Sequence, residues 1–339
     1  MTAQFKTKEL SVRERLNALD CIPAQVAQNA QDLLPLKAYT GKNLLINGDF
    51  SVWQRSESFT DADGNSGLCA DRFNYHMGTG GTGTISRVAL SDVDRELLSN
   101  SLYCLNFNVA SGTSSSSRIS QNVEDVRSLA GKTLTYSFYA KTANPALKPK
   151  FSIYQTFGSG GSAGVSYTVR EEISLSPEWA KYSFTFKMPS VVGKTVGTDS
   201  YTYIHLLNYG NYLSTDVEFS IANVQLELGS EATEFEIVDP ATQLARCLRY
   251  YQEVKAINIA GSARHYPVEP LNFVALGAVL FPVPMRVAPA ITYKEPLTAT
   301  NISSLQTSTS NIAIALNGNF DGVQHQAITG GLIALSAEL

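Results

Sequence analysis

A strict alternation of apolar and polar side chains runs through TLTYSFYAK, residues 133–141. The apolar phase consists of Leu134, Tyr136, Phe138 and Ala140. The polar phase consists of Thr135, Ser137, Tyr139 and Lys141. Because successive side chains of a β-strand point to opposite faces, this pattern predicts a strand with one buried face.

Two further stretches show the same period. YSFTFKM, residues 182–188, alternates without interruption. In FSIANVQLEL, residues 219–228, the apolar phase slips by one residue near Ala222 and Asn223, which predicts a β-bulge. Glycine-rich turns such as GTGGTGT, residues 78–84, separate these stretches. Many short strands without intervening helices predict an all-β chain that contains a jelly-roll β-sandwich.

Helical periodicity is confined to the N-terminus. Ser11 and Glu14 form an S-x-x-E capping box, which predicts a helix over residues 11–20. Pro23 interrupts the apolar spacing, so residues 24–34 are predicted to form a separate helix. Two hypotheses fit this apolar stripe equally well: the helices pack on their own β domain, or they dock into a larger assembly or self-associate.

The sequence changes in pattern again after Pro240. TQLARCLRYYQ, residues 242–252, predicts a short helix that leads into a strand. The apolar segment 271–293 supplies a further strand, closed by prolines, which belong at strand ends and edges. We therefore predict three regions: an N-terminal helical anchor (1–40), a jelly-roll β-sandwich (41–238) and a smaller C-terminal β-sandwich (239–339).

Composition argues against several classes of function. The 339-residue chain has a net charge of -4 and scattered lysines and arginines, so we expect no nucleic-acid partner. No apolar run reaches the length of a membrane span, and the N-terminus has no apolar signal segment, which predicts a soluble, unsecreted product without membrane insertion. The four cysteines lack the spacing of zinc ligands, so free thiols are expected.

The motifs of hydrolytic enzymes are absent from the sequence. It contains no G-x-S-x-G, H-E-x-x-H or phosphate-loop motif. Carboxylates brought together by folding are the remaining route to catalysis, with the candidates Glu171, Glu172, Glu227 and Glu236. Asn47, Asp49 and Glu227 carry oxygens that suit calcium, but no dense acidic loop accompanies them. We expect a protein that is not an enzyme and that holds no cofactor and no metal.

Aromatic side chains are concentrated in YTYIHLLNYGNY, residues 201–212. If Ile204 and Leu206 point into the sandwich, the opposite face of the strand is unusually aromatic. Flat rings beside amide groups suit the apolar C–H faces and hydroxyl rims of sugars. The predicted carbohydrate-binding face consists of Tyr201, Tyr203, His205, Asn208, Tyr209, Asn211 and Tyr212, extended by Tyr139 and Tyr154 from neighbouring strands.

An interface is the alternative for this aromatic face. Exposed aromatic patches mark interfaces as often as ligand sites. On that hypothesis the C-terminal domain, or neighbouring chains of an oligomer, cover the same rings. Trp53 and Trp179 are predicted to pack in the core rather than bind ligand, because their neighbours have the pattern of core strands.

Five segments resemble parts of bacteriophage tail and fibre proteins. They are NLLINGDFSVWQR (43–55), ADRF (70–73), FSIANVQLELGSEATEFE (219–236), RCLRYYQ (246–252) and FPVPMRVAPAITY (281–293). The first three resemble the opening and the closing strand of a jelly roll that is similar to carbohydrate-binding modules of xylanase-associated type. The chain departs from the pattern at Ser56, where glycine is usual, and at Phe73, where tryptophan is usual.

The resemblance implies a virion location and a tail-fibre or receptor-binding role. It also implies a homotrimer, attachment to other virion proteins through residues 1–38, and a host cell-surface glycan as the ligand. Such jelly rolls also serve as structural spacers or head decorations, so that role remains an alternative. A polysaccharide depolymerase is a further alternative, which the absent catalytic motifs disfavour.

Overall fold

The computed structural model covers most of the chain after the N-terminal segment. It describes residues 41–62, 66–77, 82–109, 116–210, 217–255, 259–261, 274–295, 298–300, 302–310, 313–320, 326–329 and 332–338. The predicted helices of residues 1–40 lie outside the described residues. So do Asn211 and Tyr212 of the predicted carbohydrate-binding face.

Within the described residues, the first part of the chain forms two antiparallel sheets of six strands each. In the first sheet the strand order is β1 (Ser58–Ala62), β4 (Thr82–Ala89), β5 (Tyr103–Val109), β12 (Val217–Leu228), β7 (Thr133–Lys141) and β10 (Ala180–Lys187). In the second sheet it is β2 (Ser66–Leu68), β3 (Phe73–His76), β6 (Ser116–Glu124), β11 (Tyr201–Gly210), β8 (Lys150–Thr156) and β9 (Val165–Arg170). From β5 onward the chain passes repeatedly from one sheet to the other, which is the topology of a jelly roll. The predicted fold class is confirmed.

The hydrophobic core lies between the two sheets and is built from their inward side chains. Tyr136 of β7 stacks on Phe151 of β8, with ring centroids 4.2 Å apart. Trp53 belongs to this core, and its Nε1 donates to the carbonyl of Phe50 at 2.8 Å. Trp179 packs in a smaller cluster with Leu98, Cys104 and Ala222. Both tryptophans therefore pack, as predicted.

The two strands with the clearest sequence patterns form as expected. Strand β7 spans the whole predicted stretch, and its apolar phase is buried. The register of β12 against β7 shifts between Ala222 and Gln225, which is the predicted bulge. Asn223 sits in the bulge with φ of 51° and donates from Nδ2 to the carbonyl of Leu98 at 2.8 Å. This buried bond stabilises the left-handed backbone at the bulge.

The segment that opens the jelly roll packs against the bulge of β12. Asn43 donates from Nδ2 to the carbonyl of Val224 at 2.9 Å, and the amide of Val224 donates to the carbonyl of Gly48 at 2.8 Å. A Cβ at Gly48 would lie 2.1 Å from the Val224 carbonyl oxygen, so only glycine fits there. Asn47 donates to the carbonyl of Asp71 at 3.1 Å. Three of the segments that carry the family resemblance thus meet at one place.

The described part of the chain contains two helices. Helix α1 (Asp92–Leu97) connects β4 and β5 and is capped by Ser91. Helix α2 (Pro240–Leu248) is capped by Asp239, whose carboxylate accepts from the amide of Thr242 at 3.0 Å. Strand β13 (Tyr251–Lys255) follows directly, so the predicted helix leading into a strand is confirmed. Among the residues described, no helix is both long enough and apolar enough to span a bilayer.

The C-terminal region is β-structured, as predicted. Its described strands form three sheets of three strands each. The sheets are β13 with β21 (Leu332–Ser336) and β16 (Ala290–Glu295), β14 (Ile259–Gly261) with β20 (Gln326–Thr329) and β17 (Thr298–Thr300), and β15 (Val274–Leu280) with β19 (Ala313–Phe320) and β18 (Ile302–Thr309). Residues 43–339 cluster as one compact unit. A domain boundary at residue 238 stays a prediction from the sequence.

Two arginines of the jelly roll stack on two tyrosines of the C-terminal region. The Arg55 guanidinium lies 3.6 Å from the ring centroid of Tyr251, and that of Arg72 lies 3.4 Å from the ring centroid of Tyr250. Both guanidinium groups pair with the carboxylate of Glu338. We call these five residues the arginine clasp. It joins the two regions of the chain through charge, hydrogen bonding and ring stacking.

Three of the four cysteines lie in the described residues. Cys69, Cys104 and Cys247 are buried free thiols, as predicted. Burial raises the pKa of the Cys69 thiol to about 12 and that of Cys104 to about 11. These thiols therefore pack as small apolar groups and are not reactive at neutral pH.

Candidate carbohydrate-binding site

Strand β11 lies inside the second sheet, between β6 and β8. Its Ile204 is fully buried in the core, whereas the alternate side chains point to the outer face of the sheet and are half-buried. Strand β8 adds Tyr154, the register partner of Tyr203. We call the set Tyr154, Tyr201, Tyr203 and His205 the tyrosine face.

The rings of the tyrosine face contact one another. The ring centroids of Tyr201 and Tyr203 are 5.0 Å apart with an interplanar angle of 73°. Those of Tyr154 and Tyr203 are 6.4 Å apart, and those of Tyr203 and His205 are 5.6 Å apart. Among the described residues, these rings make their aromatic contacts only within the set. The four side chains therefore form one continuous aromatic surface across two strands.

His205 is held in place by a hydrogen bond with Ser152, whose Oγ lies 3.1 Å from Nδ1. Burial lowers the pKa of His205 to about 4, and the positive charges of Arg118 and Lys150 act in the same direction. The imidazole is therefore neutral at physiological pH. A neutral imidazole has one donor and one acceptor nitrogen, which suits a hydroxyl group of a sugar.

The hydroxyl of Tyr203 stays protonated over the physiological range. Burial is the main cause that raises the pKa of Tyr203 to about 12, and the Tyr201 hydroxyl at 3.5 Å adds to the effect. A protonated phenol can donate one hydrogen bond and accept others. The tyrosine face thus offers apolar ring surface and neutral polar groups side by side.

The alternation that predicted the outer face of β11 ends at His205. The register against β6 shifts between His205 and Leu207, so Asn208 takes the position opposite Arg118 and Tyr209 the position opposite Ser117. Strict alternation from Tyr203 does not extend past this shift, because one extra residue in a bulge exchanges the two faces of a strand, and the face of Tyr209 stays a prediction.

Tyr139 lies away from the tyrosine face, contrary to prediction. It belongs to β7 in the first sheet, and it packs against the cluster that contains Trp179 and Ala222. Its neighbours Phe138 and Ala140 are in the core between the sheets, so Tyr139 is on the outer side of the first sheet. The tyrosine face is on the outer side of the second sheet. The alternation within a strand predicts which side chains point outward, but it does not predict which of the two sheets the strand joins.

Polar residues of β6 and β8 border the tyrosine face, and the sequence argument missed them. Asn122 and Ser120 of β6 are the register partners of Tyr203 and His205. The sequence of β6 gives only a weak signal, because its inward phase mixes the apolar Ile119 and Val123 with the polar Ser117 and Gln121. Its inward Gln121 is buried and binds the backbone of Ile46 through both its amide oxygen, at 2.7 Å, and its amide nitrogen, at 2.8 Å.

The carboxylates considered for catalysis do not gather at this site. Glu171 and Glu172 are exposed at the end of β9. Glu227 is buried and accepts from the amide and the hydroxyl of Thr233, at 2.9 and 2.7 Å. Glu236 accepts from the amide of Asn43 at 2.7 Å. In the chain as described, no group of three or more metal-binding side chains comes together.

A cavity of about 230 Å³ opens between the jelly roll and the C-terminal region. Its lining includes Arg72, Asn122, Glu124 and Tyr250. Ligand pockets are usually about 300–1,000 Å³, so this cavity is small for a sugar chain. The open tyrosine face is the better candidate for an extended ligand.

Comparison with known proteins finds similar folds but no family. No protein-family description matches the chain, and no curated protein matches it. Among solved structures, similar chains include carbohydrate-binding modules. The CBM22-1 xylan-binding domain of Paenibacillus barcinonensis Xyn10C is 13% identical, with 51% of this chain and 99% of that one covered and a TM-score of 0.29. The family 11 carbohydrate-binding module of Clostridium thermocellum Lic26A-Cel5E is 15% identical, with 52% and 99% covered and a TM-score of 0.30.

A phage protein is also among the similar structures. The enzymatically active domain of tailspike protein 4 of bacteriophage CBA120 is 15% identical, with a TM-score of 0.32. The match covers 56% of this chain and 22% of the tailspike chain. Matches with TM-scores this low do not identify a ligand for this chain.

Proposed function

We propose that this protein is a virion attachment protein that binds a host surface glycan through the tyrosine face. The observation that carries the proposal is the continuous, half-exposed surface of three tyrosines and a neutral histidine on the outer side of one sheet. Aromatic rings pack against the C–H faces of sugars, and the tyrosine hydroxyls and the neutral imidazole suit their hydroxyls.

The virion role in this proposal rests on the sequence resemblance to phage tail and fibre proteins. The segments that carry the resemblance meet at the bulge of β12 and in the arginine clasp, and none of them contains a residue of the tyrosine face. They therefore support the framework of the fold, and the glycan ligand is proposed from the tyrosine face alone. Attachment through residues 1–38 and a homotrimeric state belong to the same proposal.

Replacing Tyr203 by Ala tests the role of the face. Tyr203 touches the other three members of the set, so its loss interrupts the surface and should weaken adsorption to host cells by roughly 3–10-fold. Tyr167→Ala is the matched control, because Tyr167 is an exposed tyrosine of the same sheet whose register partner is Ile153 of the core-facing phase. Adsorption of the protein to host cells is measured by flow cytometry, and unchanged adsorption of the Tyr203 variant would count against the site.

A structural role without a ligand is the second candidate function, because the rings are only half-exposed. In that case neighbouring chains of a trimer cover the tyrosine face. Light scattering on the same two variants separates the two roles. A Tyr203 variant that stays trimeric but no longer adsorbs supports the glycan site, and one that loses the trimer assigns the ring to an interface.

We also propose that the protein has no hydrolase activity. The tyrosine face contains no carboxylate, and the candidate carboxylates Glu227 and Glu236 are engaged with the backbone and Thr233. Incubation with host capsule or lipopolysaccharide, followed by an assay for reducing ends, checks the proposal. New reducing ends that disappear in a carboxylate variant would establish the depolymerase instead.

A further inference from the structure

Two cations border the tyrosine face at one end. Arg118 of β6 and Lys150 of β8 are the register partners of the same residue, Asn208, on the two sides of β11. Their Cα atoms are therefore two strand spacings apart, about 10 Å. Arg118 and Lys150 lie two residues from Ser120 and Ser152, which are the register partners of His205, so alternation along β6 and β8 places both cations on the side of the sheet that carries the tyrosine face.

These two cations have no acidic partner among the described residues. The register neighbour of Arg118 on its other side is His76, which is not an acid. The protein as a whole has a net charge of -4, so its composition does not predict an excess of positive charge around Arg118 and Lys150.

The carboxylate at the opposite end of β6 is already bound. Glu124 accepts from Arg249 at 2.9 Å and from the hydroxyl of Tyr250. It is the register partner of Tyr201, at the end of the tyrosine face away from Arg118. Among the described strands, unpaired positive charge is therefore available to a ligand at the Arg118 end of the face. At the Tyr201 end, the charge of Glu124 is neutralised by Arg249.

We propose that the glycan bound by the tyrosine face is acidic, with the carboxylate of a uronic-acid residue held between Arg118 and Lys150. This inference rests on the proposed function and names the class of its ligand. Tyr154 and Lys150 are four residues apart on β8, about 13 Å. A sugar ring stacked on the tyrosines and an acidic residue a short way along the same chain fit this distance.

The two cations have complementary roles in this arrangement. The planar guanidinium of Arg118 matches a carboxylate through two parallel N–H donors, and the ammonium of Lys150 is a compact point charge. His205 lies between them, stays neutral and contributes hydrogen bonding without competing for the anion. Neutral polysaccharides leave both cations without a partner, so the site should discriminate against them.

Matched pairs of polysaccharides test this inference. The probes are hyaluronan, alginate and polygalacturonate, each compared with its own carboxyl-reduced form, and polyglutamate as an acidic polymer that contains no sugar. Dissociation constants are measured by isothermal titration calorimetry on the full-length protein. We expect at least one acidic polysaccharide to bind about tenfold more tightly than its reduced form and than polyglutamate.

Paired variants assign the preference to the two cations. Arg118→Gln with Lys150→Gln should remove the preference for the acidic form, whereas Arg127→Gln with Lys187→Gln should retain it. The control pair makes the same change in net charge at exposed positions outside the second sheet. Circular dichroism confirms that each variant is folded.

The outcomes separate the acidic ligand from the proposed function. If the protein binds the acidic and the reduced forms equally, and Tyr203→Ala abolishes both, the proposal of an acidic ligand is wrong and the glycan site is retained. Equal binding of polyglutamate and the acidic polysaccharides overturns the acidic sugar in favour of general attraction between charges. Absence of binding to every probe contradicts both the acidic ligand and the glycan site.

Discussion

His205 shows how a buried side chain of the tyrosine face couples to the stability of the fold. Its pKa in the folded protein is about 4, whereas an unfolded histidine has a pKa near 6.5. The unfolded chain therefore takes up a proton below about pH 6.5 and the folded chain does not. Neutral His205 contributes stability that is present above pH 6.5 and is lost as the pH falls toward 4.

The variant His205→Gln should lack this component of the pH dependence. Between pH 6.5 and 4, we expect the free energy of unfolding of the original protein to fall more steeply than that of the variant. Above pH 7 the difference between the two should be constant. Urea unfolding at a series of pH values measures both, and parallel curves throughout would show that folding does not lower the pKa of His205.

The sequence predicts which side chains share a face when all of them belong to one strand. Tyr201, Tyr203 and His205 share a face because they alternate with buried residues of β11. Arg118 and Lys150 were not found, because they come together only through the pairing of β6 and β8 with β11. The prediction for Tyr139 is wrong for the same reason, because periodicity predicts which face of a strand a side chain is on and does not predict which strands lie beside it.

Gly48 carries the contact between the opening segment and β12. Replacing it by Ala would bring a Cβ to within 2.1 Å of the Val224 carbonyl oxygen, so the backbone must move. We expect Gly48→Ala to lower the free energy of unfolding by about 1–3 kcal/mol or more. Gly131→Ala is the control for backbone strain alone, because a Cβ there meets nothing within 4 Å although φ is +70°. Chemical denaturation compares the two, and a smaller effect at Gly48 would contradict the close approach.

A bulge can be predicted from sequence only where the apolar alternation of its strand visibly changes phase. In β12 the apolar phase slips visibly at Ala222 and Asn223, so the bulge was predicted and is present. In β11 the slip falls within His205-Leu206-Leu207, where two adjacent leucines hide the change of phase. The alternation that predicts the outer face of β11 therefore holds only as far as His205.

The arginine clasp is a feature of the whole molecule, since it joins two regions that the sequence treats as separate. Arg72 is nearly fully buried and pairs with Glu338 while stacking on Tyr250. Among the described residues, its removal leaves the Glu338 carboxylate with Arg55 as its one ion-pair partner, so Arg72→Ala should lower the free energy of unfolding by about 3–5 kcal/mol.

An exposed arginine provides the control for this prediction. Arg127 pairs with Asp125 at 2.8 Å on the surface, and Arg127→Ala should change stability little. Thermal and urea unfolding of the two variants, monitored by circular dichroism, measure the difference. Equal effects of the two substitutions would show that the clasp does not stabilise the fold.

The clasp and the pairing of β12 also bear on how quickly this chain reaches its native state. Arg72 and Glu338 are 266 positions apart, and the bond from the amide of Leu226 to Asn43 spans 183 positions. Contacts of such long sequence separation require the closure of long loops before they contribute, so we expect refolding to be slow, on the order of milliseconds to seconds or longer. Until β12 is inserted, β5 and β7 have unpaired edges that favour aggregation, and refolding yield should therefore fall as protein concentration rises.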